Sequence, residues 1–419
     1  MWLRARLVWP AGQEPIADGA VRVERGLIAE VAPWRSVARA ASEVTDLGDA
    51  ILMPGWVNAH CHLDYTQFMG RIAPGGSFTT WIAHMVALKA DTGEESRQQS
   101  WLDGARQCRA AGMTTVANIE TQRGSLSALW PQALLRLRSF LEVIALRADV
   151  SAEAAMGDAL DWIGRNLPPE LCSVGLSPHA PYTTTAQVLR ACAAQLEARL
   201  PMAMHLAESA EEDEMFRRAR GPLYELVASA GRDMSDCGKG SPVLHAARCG
   251  LLRQGLIAVH CNYADADDIA LLAAGSVPVV HCPRSHDYFG HQAFPLNAMQ
   301  EAGVNVCLGT DSLATTRGSA RERLDLFEEM RHFQVAHPMV DPAEVVRMAT
   351  LYGARALAMA GQVGELAPGA WADLIVLPFG GPDESAAAAI IAHRGPPSGV
   401  MLNGQWLHAP PSSARSHAG

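Results

Sequence analysis

The chain has 419 residues, 49% of them hydrophobic, and a formal net charge of -10 at pH 7. That length exceeds what one core usually holds, so a large domain with a smaller companion is expected. The scattered basic residues form no stripe that could follow a phosphate backbone, which argues against a nucleic-acid partner, and no apolar run reaches the ~20 residues of a membrane helix, which leaves a cytoplasmic protein with no membrane partner as the expectation.

Residues 1 to about 50 read as short strands and turns, for example 20–24 and 27–31 with Gly26 between them as a hairpin signal. From there, apolar strand-like runs alternate with helical stretches, at 51–58, 113–118, 140–145, 173–178, 201–206, 256–261, 277–282 and 304–310. Eight such units fit a (β/α)8 TIM barrel within an α/β class, whose chemistry sits at the C-terminal strand ends. Alanine-rich stretches at 185–199 and 342–360 supply helices between strands. After residue 364 the texture returns to strands and turns: 372–377 is a strand, and 400–407 is a hairpin around Asn403-Gly404. The reading is therefore a composite β-sandwich from 1–51 and 365–408, a barrel over 52–364, and a disordered tail over 409–419. Nine cysteines without a Cys-x-x-Cys read as buried free thiols.

The strand ends carry the chemistry. The first closes on His60 and His62, which alternation sends out on the same side. The second ends at Asn118, and the third is uninformative. The others end on His179, on His205 and Glu208, on His260, on His281, and on Asp311. Neutral imidazoles are common ligands for borderline divalent metals, and three of them with one carboxylate suit zinc with a position left for water. Cys61, Cys261 and Cys282 each follow a strand-end histidine, and alternation turns them toward the barrel wall.

These residues carry a resemblance. The opening Pro54-Gly55 with His60-x-His62-x-Asp64, the segment Pro178-His179-Ala180-Pro181-Tyr182, His205-x-x-Glu208, Val259-His260-Cys261, His281-Cys282-Pro283, Gly309-Thr310-Asp311-Ser312 and the closing Ala372-Asp373-Leu374 resemble the amidohydrolase superfamily. The likeness is to its branch of nucleoside and nucleobase deaminases and triazine chlorohydrolases, and it covers nearly the whole chain. It implies the split sandwich and makes His60, His62, His205 and Asp311 the metal ligands. Some members hold two metals bridged by a carbamylated lysine from the fourth strand. Here neither lysine of the chain, Lys89 or Lys239, is near a strand end, so one divalent metal per chain is expected: Zn2+ first, with Fe2+ or Mn2+ as alternatives because such a ligand set discriminates weakly.

The implied reaction is attack of metal-bound hydroxide on an electron-poor ring carbon. Asp311 accepts the water proton, Glu208 protonates the ring nitrogen and then the departing amine, and His260 steadies the reacting oxygen. His179 contacts the substrate. Trp81, in the segment 77–84 that resembles the family's first lid loop, stacks on the flat ring. His281 is either a substrate contact or a residue bound to neighbouring backbone. Arg284 and Arg317 are either bidentate partners for a substrate carboxylate or ion-pair residues. The long connection 209–255 is expected to shape the pocket.

The expected activity is a metal-dependent aminohydrolase acting on a 6-aminopurine nucleoside or related heterocycle: adenosine-type nucleosides, S-adenosylhomocysteine or methylthioadenosine, or aminodeoxyfutalosine. The alternatives are the same site expelling chloride, an alkylamine or an amide group, and, last, a non-catalytic binding barrel. Departures from commoner members at His286 and over 312–318 fall on substrate-facing loops. Barrels of this branch are often homodimers.

Overall fold

A computed structural model describes residues 1–147, 149–319 and 322–411. Eight parallel strands form the barrel sheet in chain order: Trp56–Cys61, Met113–Glu120, Arg136–Val143, Cys172–Pro178, Met202–Leu206, Leu256–His260, Val279–His281 and Val306–Leu308. The ring closes through a main-chain bridge from Cys61 to Asp311, with Thr310 N–H donating to His60 O at 3.0 Å. Inward-pointing residues, among them Val57, Ala59, Ala117, Ile119, Phe140, Ala203, Ile257, Val259, Val280 and Cys307, fill the interior. The segment around Ala354, Leu357 and Met359 plugs the end opposite the strand termini. Outward-pointing residues such as Leu137, Met204, Ala258 and Leu308 pack under the helices.

Both chain ends build one further sheet, in the order Gln405–His408, Gly399–Leu402, Leu374–Pro378, Ala50–Pro54, Trp2–Val8, Ile16–Glu24, Leu27–Pro33, with Val44–Asp46 pairing on Trp2–Val8. Leu3, Val21, Ile28, Leu52, Leu374 and Met401 form its core. The Asn403-Gly404 turn has both residues at positive φ, 51° and 76°, as a tight hairpin with the strand twist requires.

Two boundaries differ from the sequence reading. The run expected as one strand over 51–58 is two: Ala50–Pro54 belongs to the terminal sheet and Trp56–Cys61 to the barrel. The crossing is at Gly55, where an added Cβ would come within 2.3 Å of Thr114, so the expected break at 51/52 falls inside a strand. The helix Ala386–Ala392, inside the stretch expected as sandwich, lays Ile390 and Ile391 into the barrel's helical layer with Phe333 and Val345. Of the expected tail, residues 412–419 lie outside the described residues. All nine cysteines are free and buried, and no helix among the described residues is long and apolar enough to cross a membrane.

Candidate active site

At the strand termini, two overlapping sets of donor atoms lie within 4.8 Å of one another: His60, His62 and Asp311, and His60, His205 and His260. Asp311 Oδ1 is 3.5 Å from His60 Nε2 and 3.7 Å from His62 Nε2, and the Nε2 atoms of His62 and His205 are 3.2 Å apart. All are buried. Both ring nitrogens of His60, Nδ1 of His62 and Nε2 of His260 have no hydrogen-bond partner among the described residues. Buried polar atoms are nearly always paired, so this nitrogen-rich cluster with one carboxylate is built to take a divalent cation of zinc's type, and the residues fit that group. His205 Nδ1 lies 2.9 Å from the carbonyl of His179, an arrangement that leaves Nε2 free to face the cluster.

Backbone geometry aims several of these groups. By strand alternation His260 would face the helices with Ala258, but its φ of 73° turns the chain end inward. Ala207 and Asp311 are also left-handed, at 48° and 50°. Non-glycine residues pay for such conformations and are held there by their surroundings. Asp311 is further fixed by Thr315 Oγ1, which donates to its Oδ2 at 3.2 Å. Although burial opposes it, the neighbouring His60, His260 and His62 hold the Asp311 carboxyl well below the usual range. Burial keeps His62, His205 and His260 well below the usual histidine value, as neutral rings.

Glu208 faces the cluster with Oε1 3.5 Å from His260 Nε2. Burial, then the nearby Asp311 and Glu212, push its carboxyl well above the usual range, the protonated state that a general acid needs. Its peptide is clamped from both sides: Glu208 N–H donates to Glu212 Oε2 at 2.8 Å, and Asn262 Nδ2 donates to Glu208 O at 3.0 Å. The acidic run after Glu208 is therefore not a solvated helix face. Glu212 is fully buried, and Glu211 accepts the N–H groups of Phe78 and Thr79, at 3.0 and 2.8 Å, capping the lid helix Phe78–Ala90.

The cluster opens into a cavity of about 140 Å3, with Phe78, Trp81, Ile82 and Tyr182 on its walls. Trp81 lies over this cavity, stacked on Phe78 with centroids 6.1 Å apart and edge-on to Phe289. His179 also lines it, its Nδ1 2.7 Å from Thr183 Oγ1. The connection 209–255 forms helices whose Met215, Phe216 and Leu223 pack with Phe78 and Tyr182, so it buttresses the cavity wall.

His281 and Arg284 do not reach this cavity. On the three-residue strand Val279–His281, Val280 and Cys282 take the inward side, so His281 points into the helical layer and stacks on Phe294 at 4.0 Å. Cys282 accordingly belongs to the barrel interior, whereas Cys61 and Cys261 face outward. Arg284 is buried against Glu329, with Nε 2.5 Å from Oε1 and its own N–H 3.0 Å from Oε2, so it is an ion-pair residue and not a substrate contact. Arg317 pairs with Asp287 at the surface.

Three residues of the cavity were not legible in the sequence. Glu142 stands on the inward side of the third strand, above Phe140, because that strand runs 136–143 and ends there, not at 145. Lys89, remote from every strand in sequence, is carried to the cavity by the lid helix, where Nζ donates to Tyr65 Oη at 2.8 Å. Tyr65 stacks on His62 with an interplanar angle of 3°. Alternation counted from the true strand end would have exposed Glu142; Lys89 had no signal.

Comparison with known proteins follows the geometry. The Amidohydrolase family profile matches residues 51–407. A 5-methylthioadenosine/S-adenosylhomocysteine deaminase of Syntrophobacter fumaroxidans is 32% identical over 374 residues, 86% of this chain and 80% of that protein. An aminodeoxyfutalosine deaminase of Deinococcus radiodurans is 30% identical over 320 residues, 73% of each. Among solved structures, an adenosine deaminase from Xanthomonas campestris with bound zinc superposes with a TM-score of 0.82 at 26% identity, covering 97% of this chain and 92% of that one.

Proposed function

The chain belongs to the amidohydrolase family, and from that membership we propose that it deaminates a 6-aminopurine nucleoside or closely related N-heterocycle, consuming water and releasing ammonia, with one divalent metal ion held by His60, His62, His205 and Asp311. It is a metal-dependent hydrolase of carbon–nitrogen bonds other than peptide bonds, as its family and its deaminase relatives indicate. Zinc is the metal proposed, in keeping with the donor set.

When bound, the metal supplies a Lewis acid that activates water at neutral pH. The chain's own residues do the rest. Asp311 Oδ2 accepts the proton of the attacking water. Glu208 gives its proton to the ring nitrogen, takes up the proton of the newly added hydroxyl as the carbonyl forms and passes it to the departing amine, and is reset by the proton that Asp311 took from the water, so that C–N cleavage expels neutral ammonia. His260, 3.5 Å from Glu208, steadies the oxygen that develops charge. Trp81 covers the flat ring and excludes water, and His179 orients it.

One observation supports the reading: two overlapping buried sets of donors, His60 with His62 and Asp311 and His60 with His205 and His260, lie beside a buried Glu208 whose carboxyl is held well above the usual range. The test is ammonia release by zinc-loaded protein over adenosine, 5′-methylthioadenosine, S-adenosylhomocysteine, aminodeoxyfutalosine, guanine, cytosine and aminotriazines, with Glu208→Gln as control. Release from an adenosine-type member supports the proposal. Release confined to the triazines, or of a leaving group other than ammonia, overturns it.

A further inference from the structure

Glu208 is gripped from outside the cavity it faces. It follows Ala207, whose φ is 48°, and its carbonyl is held by Asn262, a residue only 1% exposed. Asn262 Nδ2 donates to that carbonyl at 3.0 Å, so the amide oxygen faces the other way, where His286 Nδ1 lies 3.1 Å from Oδ1. An amide oxygen only accepts, so the imidazole carries its proton on Nδ1. Burial lowers the His286 ring to about 4, which leaves it one proton near neutral pH and Nε2 bare. Oδ1 has no other donor among the described residues. The same loop takes a second hold through Gln292 Nε2, which donates to Asn262 O at 3.0 Å. The His286 ring borders a separate cavity of about 1000 Å3, with His281, His291 and Phe294, and does not line the one into which Glu208 faces.

Without that ring the amide loses its direction. Either Oδ1 is left buried and unpaired, or the amide turns over and sets its oxygen against the Glu208 carbonyl; both weaken the hold on the peptide that aims the carboxyl. Resting on the proton transfer proposed for Glu208, we infer that His286 is a positioning residue for it, acting through Asn262 and touching neither substrate nor metal. An asparagine at 286 would present Nδ2 where the imidazole presents Nδ1 and keep the chain of bonds. A glutamine would carry its amide one bond too far, and a leucine would end the chain.

The test compares His286→Leu, His286→Gln and His286→Asn with the unmodified protein, all metal-loaded, on adenosine and 5′-methylthioadenosine. His286→Leu and His286→Gln should lower kcat about 10- to 100-fold with KM and bound metal within about twofold, the effect of a misdirected proton donor. His286→Gln supplies the result if His286→Leu does not fold. His286→Asn should keep kcat within about threefold of the unmodified value. Added to Glu208→Gln, His286→Leu should cost less than about twofold more, because the proton donor it directs is already gone. Unchanged kcat in His286→Leu and His286→Gln, a loss carried by KM or by metal content, an equal loss in His286→Asn, or a full further loss on top of Glu208→Gln overturns the inference. If the unmodified protein and His286→Leu release ammonia alike, the positioning role fails and the deaminase reading stands. If the unmodified protein acts on triazines alone, the deaminase reading fails, and the same variants measured on a triazine still decide the role of His286.

Discussion

Cys61 and Asp311 pair across the seam of the barrel, so the bridge that closes the ring among the described residues is made by the backbone that also carries His60, His62 and Asp311. Closing the barrel thus brings together His60, His62 and Asp311, three of the four proposed ligands. His62 N–H donates to Asp311 O at 3.3 Å, which ties the two ends of the set at main-chain level.

Asp311→Ala should therefore lose bound metal while the main-chain seam survives. Metal analysis after gel filtration should fall to below about a tenth of an ion per chain, with far-ultraviolet circular dichroism unchanged. A full metal complement in this variant would remove Asp311 from the ligand set.

Glu208→Gln should keep its metal, because Glu208 sits beside the cluster and contacts His260. Removing its proton transfer should lower kcat by about 10²- to 10⁴-fold with KM little changed. Near-normal turnover would mean that another group moves the protons.

Arg284→Met should destabilise the fold without touching substrate binding. It strands the fully buried Glu329, and breaking a buried pair from one side costs about 3–5 kcal/mol. A lowered Tm with unchanged KM for the protein that remains folded is expected. A raised KM at unchanged Tm would return Arg284 to the substrate.

Stability should fall as pH rises from about 5 to about 8, with Glu120 as one cause. This carboxylate is buried behind the second strand, where Trp101 Nε1 and Ser139 Oγ donate to it at 3.0 and 2.6 Å. Burial pushes its pKa up to about 7. The native state then holds a proton that the unfolded chain gives up above about 4.5, so each step upward in pH through that window favours unfolding, by a total on the order of 3 kcal/mol. Glu120→Gln should flatten the slope of Tm against pH over this range; an unaltered slope would assign it to other groups.

The sequence made the buried donor cluster legible because its residues stand at strand ends, where position along the chain and position in space coincide. His205 and Asp311 needed only the barrel pattern, whereas His60 and His62 follow a register shift between Asn58 and Cys61 that reverses the parity set by Val57 and Ala59. His260 was legible by position alone, since strand parity would have turned it outward and only its left-handed φ brings it in. His281 misled for the opposite reason: its strand end looks the same in sequence, but a three-residue strand set its phase on Val280. Arg284 was open between two roles because its partner Glu329 is 45 residues away on another helix. Glu142 was hidden by a strand whose end lay two residues earlier than the apolar run suggested, and Lys89 by a lid whose docking is a tertiary fact. The chain pattern locates the chemistry, whereas what surrounds it depends on packing between distant segments.

The passage from Pro54 through Gly55 to Trp56 bears on the order in which the protein can become active. The strand before Gly55 finds one of its two sheet neighbours in Leu374–Pro378, more than 300 residues later. A ribosome that has released everything up to Asp311 has made all four proposed donor groups, yet the strand that leads through Gly55 into the first two still lacks one of its two neighbours. Metal capture at full affinity should thus lag behind synthesis of the barrel until the C-terminal strands have docked, and a chain stopped between the two would carry the donor residues without the sheet that steadies them.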